Sequence, residues 1–164
     1  MDSIPFGTEE FRLVRAGPRD KEYILRCMKE TILCSVPKDV GDYRHLWMDD
    51  IMTVVSANLE GGRMDSEAFV LVSDEGNAGA LWMGRSKDQF TCDDTGYLLG
   101  LFVERRYRRK GLGTELLRAA ERWCSANGLL SMTLNVGSVN DAAVKLYTKA
   151  GYDSQSIVMK KDLK

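Results

Sequence analysis

Arg108-Arg109-Lys110-Gly111-Leu112-Gly113-Thr114 joins two stretches of different periodicity. Before it, Tyr97-Leu98-Leu99-Gly100-Leu101-Phe102-Val103 is an apolar run of the length of a buried strand. After it, Leu112, Leu116, Leu117, Ala120, Trp123 and Cys124 recur near a 3.6-residue period and form one helical face. A strand, a basic glycine-containing turn and a helix start in succession predict an anion site. The first N–H groups of a helix lack internal partners, the dipole is positive there, and glycines let a ligand approach the backbone. The predicted ligand is a phosphorylated one.

The rest of the composition makes this turn stand out. The 164 residues suit one domain, over residues 1–164, with 44% hydrophobic and 29% charged residues, as in an ordinary globular protein. Lys and Arg number 23 and Asp and Glu 24, so the chain as a whole is no polyanion binder. Yet five of the six residues from Arg105 to Lys110 are cationic. No stretch is as long as a membrane span, and Met1 to Thr8 has no signal-peptide layout, because Asp2, Pro5 and Gly7 interrupt it. Cys27, Cys34, Cys92 and Cys124 form no C-x-x-C pair, and three of them lie in helical patterns, so buried free thiols and a cytoplasmic location are expected. With His45 as the only histidine, no metal site is expected and a Ser-His-Asp triad is strained.

Outward from the turn, the pattern predicts alternating elements. Phe11 to Val14 reads as a first strand, and Pro18 opens a helix with Ile24, Cys27, Met28 and Thr31 on its inner face, ending by Pro37. A second helix is predicted over Asp42 to Leu59, with Trp47, Ile51, Val54 and Val55 inward. Strands Ala68–Ser73 and Ala78–Arg85 form a hairpin around Asp74-Glu75-Gly76-Asn77, followed by a polar loop from Lys87 to Thr95. Beyond the helix that closes at Asn127-Gly128, a strand is predicted over Leu129–Val136 and a last helix from Asn140 or Asp141 to Gly151, with Ala143, Leu146, Tyr147 and Ala150 inward. Tyr152–Lys160 is predicted as a closing strand. The order is β-α-α-β-β-β-α-β-α-β, an α/β fold with helices on both faces of a mixed sheet.

Two blocks of residues resemble the GNAT family, the Gcn5-related N-acetyltransferases. Arg108-Arg109-Lys110-Gly111-Leu112-Gly113 is similar to the family's Arg/Gln-x-x-Gly-x-Gly/Ala, preceded by the apolar triplet Leu101-Phe102-Val103. Leu134-x-Val136, Asn140, Ala143, Leu146-Tyr147, Lys149 and Gly151-Tyr152 resemble the family's second block. The resemblance implies a mostly antiparallel sheet splayed between the fourth and fifth strands. It implies acetyl-coenzyme A as co-substrate. The N–H groups from Arg109 to Thr114, through Lys110, Gly111, Leu112 and Gly113, would cradle its pyrophosphate, with charge from Arg108, Arg109 and Lys110. The backbone at Leu101 to Val103 would pair with the pantetheine arm, and a β-bulge suits such an interrupted ladder. A backbone N–H of that strand would polarise the thioester carbonyl.

Tyr147 is the residue the family would use as general acid toward the departing thiolate, and Asn140 the one that would hold the coenzyme A arm. From the residues alone, Tyr147 is equally a core aromatic and Asn140 equally a helix cap. The attacking amine must be neutral: a lysine amine near 10.4 is unprotonated about one part in a few thousand at pH 7, an α-amine at roughly ten per cent. In the branch that acetylates ribosomal-protein N-termini, a glutamate stands between the leucine and valine of the fifth-strand motif, and here that position is Asn135. Tyr97 and Asp94, or Asp93, are then the candidates to take the proton through a water chain, while Glu104 is expected to face away from the cleft by strand alternation. The acceptor pocket is expected between about Thr31 and Asp50, including Tyr43, His45, Trp47 and Asp49.

Two classes of function follow. One is an acyltransferase moving acetyl from acetyl-coenzyme A to a small-molecule or peptide amine, with protein N-termini as a variant. The other is a non-catalytic acyl-coenzyme A sensor on the same fold. A nucleic-acid or membrane partner is not expected, and Ser154 to Lys160 offers a contact for a homodimer.

Overall fold

The computed structural model describes residues 3–4, 6–7, 9–37, 49, 52–53, 55–57, 60, 65–161 and 163. Among the described residues, six strands form one open sheet in sequence order: β1 (Ser3–Ile4), β2 (Arg12–Arg15), β3 (Ser66–Ser73), β4 (Gly76–Lys87), β5 (Asp94–Val103) and β6 (Met132–Leu134). All neighbours are antiparallel except β5 and β6, which run parallel. Helix α1 (Lys21–Ser35) covers one face and α2 (Leu112–Ala126) the other, and α3 (Asp141–Lys149) follows β6.

Strand alternation explains why the central strands read as continuous apolar runs. In β3, Phe69 and Leu71 enter the core beneath α2, while Ala68 and Val70 enter the core beneath α1. In β4, Leu81 and Met83 take the first side and Ala80 and Trp82 the second. Each large side chain buried this way contributes about 1.5–3 kcal/mol against staying in water. Among the described residues the two indole N–H groups are satisfied: Trp82 donates to Ser66 Oγ at 3.1 Å and Trp123 to Glu67 Oε2 at 2.8 Å.

The sheet opens where the sequence placed its fourth and fifth strands, here β5 and β6. Gly96, Tyr97 and Leu98 pair with Met132, Thr133 and Leu134, and the ladder stops there while β5 runs on to Val103. On its other side β5 stays paired with β4 but slips register: Met83 faces Leu98 and Trp82 faces Gly100, leaving Leu99 as the extra residue of a bulge.

Several boundaries differ from the sequence reading. Tyr152–Lys160 joins no strand, and Ile157, Val158 and Met159 are 79%, 98% and 89% exposed. β-branched residues favour a pleated surface only when a neighbour strand is there to pack against. The strand predicted over Leu129–Val136 keeps only its middle, since Leu130 is fully exposed. The predicted polar loop contracts to residues 88–93, closed by the Asp88 carboxylate accepting from the N–H groups of Phe90 and Thr91, each at 2.9 Å. Strand β1 was not foreseen. Of the predicted helix over Asp42–Leu59, Asp49, Met52, Thr53 and residues 55–57 are helical and the remainder lies outside the described residues. Cys27 and Cys124 are buried thiols, whereas Cys34, near the outer end of α1, is exposed. Among the described residues no helix is long and apolar enough to cross a membrane.

Candidate acyl-coenzyme A site

The turn between β5 and α2 is built to leave backbone donors free. A single 3-10 turn, Arg105–Tyr107, closes on Glu104 through Tyr107 N–H at 2.9 Å. Arg109 then sits at φ 65° and Gly111 at φ 81°, two left-handed residues that swing the chain into α2. Gly111 carries this conformation without strain, while Arg109 carries it at a cost of about 1–2 kcal/mol, a tension often found where the backbone serves a ligand. Among the described residues, no acceptor meets the N–H groups of residues 109–114; the first satisfied one is Glu115, bonded to Gly111 O at 3.1 Å. No side chain caps α2.

Helix α3 is the contrast. Asn140 Oδ1 accepts from Ala143 N–H at 3.3 Å and so caps it. One helix start is therefore occupied by its own chain, and the other presents a row of donors at its positive end.

The cationic side chains of the turn also make contacts within the chain. Arg108 folds back, its Nε donating to Val103 O at 2.8 Å and its guanidinium 5.6 Å from the Phe102 ring centre, so it ties the end of β5 to the turn. Lys110 and Arg106 flank the Tyr107 ring at 5.6 and 4.8 Å. Arg109 alone of the Arg108–Lys110 triplet makes no ion pair, hydrogen bond or ring contact among the described residues. Tyr107, missed from the sequence, is buried, and its hydroxyl lies 3.0 Å from both Ser73 Oγ and Glu75 Oε2, anchoring the turn to the β3–β4 hairpin. Its signal was present: it is the one aromatic in a run of five cations.

Leu101 and Val103 pack against the α2-side core, and Phe102 is buried on the α1 side. Leu112 is buried at the start of α2, and Gly113 sits against Leu146 of α3. Tyr147 lies on the inner side of α3, its ring 6.0 Å from that of Tyr152. Its hydroxyl has no hydrogen-bond partner among the described residues, and burial pushes it up to about 12.

Tyr97 is half-buried on β5, and burial raises its hydroxyl as well. Asp94 begins the same strand, where the hydrogen bond and charge of Lys87 Nζ, 2.8 Å away, lower its carboxyl. Asp93 is exposed in the tight turn before it. Glu104 is engaged with α1, accepting from Tyr23 Oη at 3.2 Å and from Arg26. Asn135 is exposed. Of the acceptor-pocket candidates, Asp49 is exposed, while Tyr43, His45, Trp47 and Asp50 lie outside the described residues.

Comparison with known proteins points to one family. The sequence profile of the Acetyltransferase (GNAT) family matches residues 36–152. Acetyl transferase GW6a of Oryza sativa subsp. japonica is 45% identical over 56 residues, 34% of this chain and 13% of that protein. The uncharacterized N-acetyltransferase YobR of Bacillus subtilis is 40% identical over 60 residues, 37% of this chain and 24% of that protein. The aligned region is thus less than a quarter of each of these curated relatives. Among solved structures, a GCN5-related N-acetyltransferase from Ralstonia eutropha JMP134 superposes with a TM-score of 0.69 at 15% identity, covering 93% of this chain and 98% of that one. AAC(6')-Iy, solved with the bisubstrate analog CoA-S-monomethyl-acetylneamine, gives 0.66 at 16% identity, covering 94% and 98%. The profile spans well over half of the chain, from the end of α1 to Tyr152, and with it the open β5–β6 edge and the free-donor turn: the chain belongs to the GNAT acetyltransferase family.

Proposed function

We propose that the chain moves an acetyl group from acetyl-coenzyme A to a primary amine by direct attack in a ternary complex, with Tyr147 as general acid. The observation that carries this is the unsatisfied row of N–H groups at residues 109–114, beside a parallel strand pair that diverges after Leu98. Those donors, with Arg109, suit a pyrophosphate. The edge of β5 at Leu101, Phe102 and Val103, unpaired with β6 though Val103 O is taken by Arg108 Nε, suits the amide-bearing arm that follows the pyrophosphate. When bound, acetyl-coenzyme A supplies the activated thioester.

The chain's own residues then have definite tasks. A backbone N–H of β5 stabilises charge on the carbonyl oxygen. The amine nitrogen forms its bond to the carbonyl carbon as the carbon–sulfur bond breaks, and Tyr147 gives its hydroxyl proton to the sulfur. The amine proton leaves through water to solvent, with the protonated Tyr97 hydroxyl able only to relay it and the Asp94 carboxylate, held by Lys87, a weak acceptor; the proton that Tyr147 gives up is replaced from the same solvent. Asn140 keeps its cap and lends Nδ2 to the coenzyme A arm.

The acceptor class is open between small molecules and peptides. Since the same fold serves aminoglycoside 6'-N-acetyltransferases, polyamines and amino sugars head the panel. Gly111→Trp tests the cradle: acetyl-coenzyme A affinity measured by calorimetry should fall by about a hundredfold or more, because the indole covers the donors. Undiminished affinity in the folded variant would remove the phosphate site from the proposal.

A further inference from the structure

Helix α1 touches both lips of the open edge. Near its start, Tyr23 and Arg26 reach Glu104, the residue directly after β5, and the Arg26 guanidinium lies 5.7 Å from the Phe102 ring centre. At its other end, Ser35 abuts Gly137 in the turn that follows β6. A Cβ built on Gly137 would lie 2.7 Å from Ser35 C and 2.9 Å from Ser35 Cα, and closer still to Ser35 O. These are backbone atoms, which cannot rotate away as a side-chain tip could.

Gly137 is not among the glycines at positive φ. The residue is therefore small because α1 lands on it, and not because the turn needs a left-handed backbone. The seat continues into α3. Asn140 N–H donates to Gly137 O at 2.9 Å, Asn140 Nδ2 lies 3.4 Å from Ser35 Oγ, and Asn140 Oδ1 caps the helix that carries Tyr147.

We propose that α1 is the spacer that holds the two lips of the cofactor cleft apart, with Glu104 and Gly137 as its two seats and both acting as positioning residues for the transfer. The proposal rests on the acetyl-transfer reading for its catalytic consequence, but not for its structural one. At 1.5 Å per residue the helix rises about 14–18 Å between Arg26 or Tyr23 and Ser35, which is the reach from one seat to the other. A seat displaced at Gly137 moves the 137–140 turn and with it the approach of Tyr147 to the sulfur, and an error of about 1 Å in such an approach costs on the order of a hundredfold in rate.

The test uses Gly137→Ala, Glu104→Ala and Glu104→Gln in the full chain, read by amide exchange and by steady-state kinetics. With either alanine variant, exchange at Asn140 and Ala143 should rise about tenfold, as the turn loses its stop. The kcat should fall about tenfold or more while KM for acetyl-coenzyme A stays within about threefold. Glu104→Gln, which still accepts from Tyr23 and Arg26, should recover most of the loss. Should Gly137→Ala not fold, the Glu104 pair carries the same test. Wild-type exchange at Asn140 and Ala143 in the folded alanine variants would overturn the spacer, whatever the activity. Raised exchange in a protein that acetylates no amine would leave the spacer standing and reject the acetyl-transfer reading instead.

Discussion

Tyr147 is held partly out of water, and its proposed chemistry has to be judged in that setting. A hydroxyl pushed up to about 12 faces a thiol that in water sits near 8.5, a mismatch of roughly 5 kcal/mol against proton donation. In the proposed reaction the sulfur would leave into the same surroundings, and burial acts on thiols in the same direction. Within this chain it pushes the Cys124 thiol up to about 11 and Cys27 to about 12. The gap therefore narrows where the reaction occurs. A raised hydroxyl also keeps its proton as pH rises, so the acid form persists beyond pH 10, where an ordinary tyrosine would be half ionised. For Tyr147→Phe the expected result is a fall in kcat of about 10²–10⁴ with KM for acetyl-coenzyme A nearly unchanged. The wild-type kcat should show no loss between pH 8 and 10 attributable to this group. A folded Phe variant turning over at the wild-type rate would return Tyr147 to a packing role beside Tyr152.

The helices and central strands were legible because each satisfies two requirements at once. Leu112 to Cys124 repeats at 3.6, and seven residues of α2 are buried. The runs in β3, β4 and β5 are apolar throughout because both faces are covered. What the sequence hid depends on neighbours. Ile157-Val158-Met159 has strand composition but no partner strand, and β6 has the composition for eight residues but pairs over three. The bond from Arg108 Nε to Val103 O was not legible either, because spacing shows that a guanidinium lies near the turn but not which carbonyl it meets. Gly137 gave no motif at all, since its requirement comes from Ser35, more than a hundred residues earlier. The exposed tail has a direct check. Val158→Asp should shift the melting temperature by less than about 1 °C. Leu116→Ala, in the core beneath α2, should cost about 2–5 kcal/mol. A large loss from Val158→Asp would mean that the segment packs where it is drawn exposed.

At the scale of the molecule, one open edge organises everything else. The parallel pair β5–β6 closes over three residues and then separates; α2 begins at one lip with its donors free, α3 at the other with its own cap, and α1 spans the two. That arrangement suits the proposed acyl-coenzyme A donor and names no acceptor. The most direct test is amine-dependent release of the coenzyme A thiol, followed across polyamines, amino sugars, amino acids and peptides. Acetyl transfer requires at least one acceptor to raise release about tenfold or more above the hydrolysis background, with the acetylated amine recovered in equal amount. Tight binding of acetyl-coenzyme A with no acceptor raising the rate would contradict it, and would make the chain a sensor of the cofactor.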